Sequence, residues 1–153
     1  MASPGQFHFF ARNANVFKAS DLTANLYMSL HTSSWSPNIT ATGNYLFADA
    51  TNELSTANGY TANGYDLSGE AVAADAGNDG FKISTGNASW TATSSGITAR
   101  RAVLYVRATL WSLTNPLIGY FNLDSGDVDV VTAAGNILQL NCPSDGWGKI
   151  TSS

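Results

Sequence analysis

The chain has 153 residues, a length typical of one domain, and 44% of them are hydrophobic. Charged residues make up only 12%, so the polar surface must come from Asn, Thr, Ser and Gly, which favour strands and turns over helices. The net charge of −4 argues against binding to phosphate backbones, and we expect no nucleic-acid partner. A single cysteine, Cys142, excludes an internal disulfide and a cysteine-based zinc site.

The N-terminal segment, residues 1–18, is apolar but has no strand or helix period. It carries four phenylalanines: Phe7, Phe9, Phe10 and Phe17. We interpret it as an extended arm that packs on the protein's own domain or on a neighbour. It lacks the charged and apolar regions of a signal peptide, and no apolar run approaches the roughly 20 residues that span a bilayer. We therefore expect a soluble product made in a reducing cytosol, with no membrane partner.

Residues 19–153 are predicted to form one all-β domain of short strands. The first strand, residues 25–32, alternates Leu26, Met28 and Leu30 with more polar residues. The strands predicted after it are residues 44–48, 65–73, 81–84, 88–91, 99–108, 116–123, 128–131 and 136–142. Polar connections without intervening helices argue against a parallel sheet and favour a single antiparallel β-sandwich or barrel.

The clearest predicted strand, residues 99–108, has two different faces. Its apolar face is directed inward: Ala102, Leu104 and Val106. The opposite face carries Arg101, Tyr105 and Arg107, and Arg and Tyr are residue types that dominate interface energetics. We hypothesise that this outward face lies at a subunit interface; the alternative is an ordinary polar sheet face.

Residues 58–65 read NGYTANGY and contain the tripeptide Asn-Gly-Tyr twice. A phosphate-binding loop would need a lysine after the glycines, or three glycines between a strand and a helix, and neither is present. We interpret the segment as two turns in which glycine supplies positive φ. The tyrosines would then cap a sheet edge or meet a partner.

The residues that could carry chemistry do not form a recognisable site. His8 and His31 are the only histidines, and neither has a carboxylate at a helical offset, so a catalytic triad or zinc site would need distant pieces. We expect no enzyme activity and no cofactor. His31 is interpreted as a polar residue at a strand edge, and Cys142 as a small core residue.

Two acidic loops are rich in oxygen ligands but lack the spacing of an EF-hand. Their residues are Asp75, Asn78 and Asp79 in the first loop, and Asp124, Asp127 and Asp129 in the second. We interpret them as solvated turn carboxylates, with a bound cation as the alternative.

Four tryptophans could pack in a core or interface, or stack on sugars: Trp35, Trp90, Trp111 and Trp147. No basic groove accompanies them, which argues against single-stranded nucleic acid.

Five motifs occur in a fixed order along the chain. They are LYMSLHTSSWSP (26–37), NEL (52–54), NGYTANGYDLSG (58–69), ASWTATSSGITARRAVLYVRA (88–108) and PLIGYFNLDSGDV (116–128), followed by GNIL (135–138). In this order the chain resembles a family of small structural proteins of tailed bacteriophages over about residues 22–140. The inserted Ser- and Asn-rich connections and the apolar N-terminal segment depart from the family's pattern.

The resemblance implies a jelly-roll-like β-sandwich without a catalytic site. Similar proteins are capsid decoration or cement proteins, which bind the outer surface of the phage head as oligomers and clamp neighbouring major capsid subunits. We accordingly expect a homo-oligomer, a trimer at threefold positions, anchored through the N-terminal arm. The alternative is a minor tail or fibre component that binds glycans through Trp35, Trp111 or Trp147.

Overall fold

The computed structural model describes residues 25–37, 46–75, 80–110 and 112–151. The predicted arm, with Phe7, Phe9, Phe10 and Phe17, lies outside these residues, as do His8 and Trp111. The division of the chain into an arm and a domain from residue 19 therefore stays a prediction.

Within the described residues the chain forms short β-strands and one 3₁₀ turn, Phe47–Asp49. The strands are β1 (Leu26–His31), β2 (Tyr65–Asp66), β3 (Ala71–Asp75), β4 (Gly80–Ser84), β5 (Ala88–Thr91), β6 (Ile97–Ala99), β7 (Arg101–Val106), β8 (Thr109–Leu110), β9 (Leu113–Thr114), β10 (Leu117–Asn122), β11 (Val130–Thr132), β12 (Ile137–Leu140) and β13 (Gly148–Thr151).

The strands pair only in the antiparallel sense in the part of the chain that the structure describes. The central sheet has four strands in the order β10-β7-β1-β2, and a second sheet has the order β13-β4-β3. The other described strands pair in three two-stranded ribbons, β11-β6, β12-β5 and β8-β9. The all-β, antiparallel prediction is confirmed, whereas the jelly-roll arrangement stays a prediction.

Strand β7 is the inner strand on which the central sheet is built. It pairs along its whole length with β1, from Leu26 opposite Val106 to His31 opposite Arg101. On its other side it pairs with β10, with an irregularity between Leu117 and Gly119. Every residue of β7 is buried, so both of its faces are covered.

One face of the central sheet packs into the main hydrophobic core. The core joins residues of this sheet to residues of the ribbons and of the three-stranded sheet, among them Leu26, Met28, Leu30, Leu104, Ile83, Trp90, Ile97, Leu138, Leu140 and Trp147. Burying such side chains stabilises a fold by roughly 1.5–3 kcal/mol each, before the entropy cost of ordering the chain.

Several predicted strands differ from the observed ones. Residues 44–48 were expected to be extended, but the 3₁₀ turn forms because Asp49 Oδ2 accepts the Leu46 N–H at 3.0 Å. The predicted strand 65–73 divides into β2 and β3 around Gly69, which has a φ of 68°. The β8-β9 hairpin was missed because its strands have only two residues each.

The repeated NGY segment forms two turns, as predicted. Asn58 and Gly59 have φ values of 55° and 90°, and Ala57 and Tyr60 exchange both backbone hydrogen bonds, at 3.1 and 2.9 Å. Positive φ at both central residues is typical of a tight type I′ hairpin. Tyr60 does not face a partner: its side chain is buried in the main core.

Gly59 is required by space as well as by backbone conformation. A Cβ atom at this position would overlap the carbonyl oxygen of Thr91 on β5, whereas a Cβ at Gly135, which has a φ of 85°, would meet nothing. Gly135→Ala should cost about 1–2 kcal/mol from left-handed strain alone. Gly59→Ala should cost at least about 2 kcal/mol more, because β5 or the hairpin must move. Urea denaturation would measure both; equal costs would contradict the close approach.

Candidate functional site

The face of the central sheet opposite the main core carries a second hydrophobic cluster, here called the outer cluster. It consists of Trp35, Ala50, Val103, Tyr105 and Leu117, with Tyr27, Phe47 and Tyr120 partly buried against it. Phe47, from the 3₁₀ turn, stacks on the Tyr105 ring with centroids 4.1 Å apart and an interplanar angle of 13°. Loops therefore cover the face on which the sequence hypothesis placed a subunit interface.

Tyr105 is an internal anchor of this cluster. Its side chain is 1% exposed, and its hydroxyl donates a hydrogen bond to the carbonyl oxygen of Asn63 at 2.6 Å. Burial raises the pKa of the phenol, so the group stays a neutral donor. The expectation that Tyr105 faces outward is wrong, because the bond to Asn63 holds the second NGY turn against β7.

Arg101 is also buried, at 7% exposure, and it joins separate loops to β7. Its Nη2 donates to both carboxylate oxygens of Asp127, at 2.7 and 2.8 Å. Nη1 donates to the carbonyl oxygen of Trp35 at 2.5 Å, and Nε donates to Asn122 Oδ1 at 3.2 Å. The guanidinium is thus occupied by the protein itself, and its predicted outward placement is wrong.

Arg107 is the member of the predicted trio that is exposed. Its guanidinium carbon lies 5.0 Å from the centroid of the Tyr27 ring, within the range of a cation–π contact. Tyr27 in turn contacts Tyr105, with ring centroids 5.9 Å apart. An interface role on this face therefore rests on Arg107 and the partly buried rim of the outer cluster, and it stays a prediction.

The carboxylates of the second acidic loop bind groups of the same chain. Asp129 pairs with Arg100 Nε at 2.8 Å, Asp127 pairs with Arg101, and Asp124 Oδ1 accepts the Gly126 N–H at 2.7 Å. Among the described residues, no group of three or more His, Cys, Asp or Glu side chains could hold a metal ion. In the first loop, Asn78 and Asp79 lie outside the described residues.

Ser29 and His31 form a hydrogen-bonded pair inside β1. Ser29 Oγ lies 2.9 Å from His31 Nε2, and His31 Nδ1 lies 2.9 Å from the carbonyl oxygen of Thr51. A carbonyl only accepts, so Nδ1 carries the proton and Nε2 accepts from the serine hydroxyl. The spacing suits a nucleophile and its base, but both residues are fully buried and no substrate can reach them. His31 is therefore a core residue, and its interpretation as an edge residue is wrong.

The tryptophans that the structure describes are buried inside the protein rather than exposed on its surface. Trp35, Trp90 and Trp147 are buried, and Trp147 Nε1 donates to Thr85 Oγ1 at 2.6 Å. Stacking on a sugar needs an open ring face, so the prediction that Trp35 or Trp147 binds glycans is wrong. Cys142 is half-buried and packs against the main core, as predicted.

Among the residues whose burial the structure describes, three large apolar side chains are exposed, and all lie near β11 and β12: Val128, Val131 and Ile137. Ile137 is 59% exposed, whereas Leu138 and Leu140 of the same strand are buried. Strict alternation along the strand could have placed Ile137 on the outer face. This edge of the molecule was missed as a candidate surface.

Comparison with known proteins found no matching family model, no matching curated protein and no matching solved structure. Within the described residues, no helix is long and apolar enough to cross a membrane. The resemblance to phage structural proteins therefore stays a prediction.

Burial of His31 predicts a specific pH dependence of stability. Desolvation lowers the pKa of His31 from 6.5 to about 4, against the bond to Thr51, which raises it. Its stabilising contribution is complete above pH 6.5 and is lost as the pH falls towards 4, because the unfolded chain binds the proton more tightly. The loss should reach about 3 kcal/mol. Urea titrations at several pH values should show this loss of unfolding free energy in the wild type but not in His31→Gln. The same dependence of unfolding free energy on pH in both proteins would contradict the role of His31.

Arg101 and Arg107 allow the contribution of a buried arginine to stability to be compared with that of an exposed one on the same strand face. Arg101→Met should cost about 2–4 kcal/mol, because it leaves Asp127, Asn122 and the Trp35 carbonyl without their donor. Arg107→Met should cost less than about 1 kcal/mol, since its contact with Tyr27 is exposed. Thermal unfolding of both variants gives the comparison, and equal losses would show that the Arg101 network contributes little.

Proposed function

We propose that this protein is a capsid decoration protein of a tailed bacteriophage. In this proposal it binds the outer surface of the head as a homo-oligomer, a trimer at threefold positions, and stabilises contacts between major capsid subunits. Residues 19–153 would form a jelly-roll-like β-sandwich, and residues 1–18 an arm that reaches the capsid or a neighbouring copy.

The observation that carries the proposal is that the five motifs hydrogen-bond to one another. Glu53 of the second motif accepts from the Tyr60 hydroxyl and from the Asn63 N–H of the third motif, both at 2.6 Å. The Tyr60 oxygen also accepts the Leu30 N–H of the first motif at 3.1 Å. The glutamate and tyrosine thus tie three motifs together around the doubled turn.

The remaining motifs are joined through β7. Tyr105 of the fourth motif donates to Asn63 of the third, and Arg101 binds both the first and the fifth motif through Trp35 and Asp127. Residues that make such contacts are those that a common fold would require together. This supports treating the motif order as one structural signature, the signature that resembles phage structural proteins.

The surface chemistry also suits a protein embedded among copies of itself and a shell. Only 12% of the residues are charged, and several of those charges are paired within the chain, such as Arg100 with Asp129 and Arg101 with Asp127. Contacts between subunits then need few buried ion pairs, which are costly to desolvate. Interfaces of about 1,600 Å², repeated around a closed symmetry, would add stability to a head under internal pressure.

Sedimentation of the purified protein with expanded phage heads that lack it tests the proposal, with isolated tails as the control. Saturable binding to heads alone is expected, at a copy number that matches the threefold positions of the lattice. Heads carrying the protein should also resist heating better than bare heads. Binding to tails, or to neither particle, would contradict the proposal and would make glycan screening of the tail or fibre alternative the next step.

The same assay tests the arm separately. Binding to heads should weaken when residues 1–18 are deleted. It should also weaken in a full-length chain in which four phenylalanines are replaced: Phe7→Ser, Phe9→Ser, Phe10→Ser and Phe17→Ser. If the shortened chain bound as well as the full chain, the anchoring role of the arm would be wrong while decoration itself would stand.

A further inference from the structure

Among the described strands, β12 has one edge without a partner strand. It pairs with β5 on one side, from Ile137 opposite Thr91 to Leu140 opposite Ala88, and no other described strand pairs with it. Ile137 and Gln139 of this strand are exposed, and so is Asn141, which follows it. An edge of this kind presents unpaired N–H and C=O groups that form a template for another extended chain.

The free backbone groups can be assigned from the ladder. The Ala92 N–H donates to the carbonyl oxygen of Asn136 at 2.8 Å, and bonded and non-bonded pairs alternate along an antiparallel ladder. Residues 138 and 140 therefore bond to β5, and the Cys142 N–H points the same way, donating to Asn87 Oδ1 at 3.0 Å. The N–H and C=O groups of Ile137, Gln139 and Asn141 consequently point away from β5.

The sequence of this edge lacks the residues that usually protect an edge strand. Residues 130–142 contain neither a charged residue nor a proline. Natural proteins commonly place lysine, proline or a covering loop at such an edge. Instead the edge displays Ile137, and Val131 on the neighbouring ribbon is 70% exposed.

We propose that two copies of this chain join through β12 around a twofold axis, which forms a continuous sheet β5-β12-β12-β5. Gln139 lies opposite Gln139 of the second copy, and Ile137 lies opposite its Asn141. In this register, residues whose backbone N–H and C=O groups point away from β5 lie opposite one another in the two copies. Each such pair exchanges both backbone hydrogen bonds. The contact does not depend on the proposed function.

The second copy fits better than an unrelated peptide for two reasons. The outward-facing residues are spaced symmetrically about Gln139, so the antiparallel register satisfies both strands equally, as an isologous contact requires. The facing segments also carry no charge, so identical copies do not repel each other.

Disulfide trapping tests the register directly. In a Cys142→Ser background, Gln139→Cys places two thiols on directly opposed residues, about 5.5 Å apart between Cα atoms, which suits a disulfide. Under mild oxidation its covalent dimer should form at least about tenfold faster than that of a Ser34→Cys control. Ser34 is exposed and lies next to Trp35 of the outer cluster, on the face of the central sheet opposite the core that β12 joins. Equal rates at the two positions would mean random collision and would overturn the proposal.

Hydrogen exchange on the unmodified protein provides the second measurement. The Gln139 amide should exchange rapidly in dilute solution and become protected as concentration rises, whereas the Leu138 amide should be protected throughout. Exchange at Gln139 that does not change with concentration, together with unselective trapping, would show that the edge stays open. Both measurements use purified protein alone, so they do not depend on whether the protein binds heads.

Discussion

The fold depends on one strand that is buried on both faces. β7 lies between β1 and β10 in the central sheet, with the main core on one side and the outer cluster on the other. Burial of both faces requires apolar side chains to pack on the face opposite the main core. Here loops supply them, through Trp35 and Phe47. Any polar group on that outer face must find its partner inside the protein, because an unpaired buried group costs several times the net gain of a hydrogen bond.

This requirement explains the roles of Arg101 and Tyr105. Each lies on the covered face of β7 and each donates to loop atoms distant in sequence, Arg101 to Trp35 and Asp127, Tyr105 to Asn63. The loops are thereby fixed to the sheet by a few directed bonds rather than by helices. His31 follows the same rule, since its two ring nitrogens are occupied by Ser29 and Thr51.

The sequence was sufficient to predict the fold class and most strands, because alternation of apolar residues reports which face of a strand is buried. It failed where burial is produced by distant loops. The face with Arg101 and Tyr105 was predicted to point outward, at a subunit interface, since no local pattern shows that Phe47 would stack on it. Short strands such as β8 and β9, and the 3₁₀ turn held by Asp49, carry too few residues for a period to appear.

We propose that this small antiparallel domain decorates a phage head. Cryo-electron microscopy of heads reconstituted with the purified protein tests it most directly, with untreated heads imaged in parallel. We expect additional density on the outer surface at threefold positions, of a size that matches a trimer of this chain. Reconstituted heads without added density, or density found only at the tail, would contradict it.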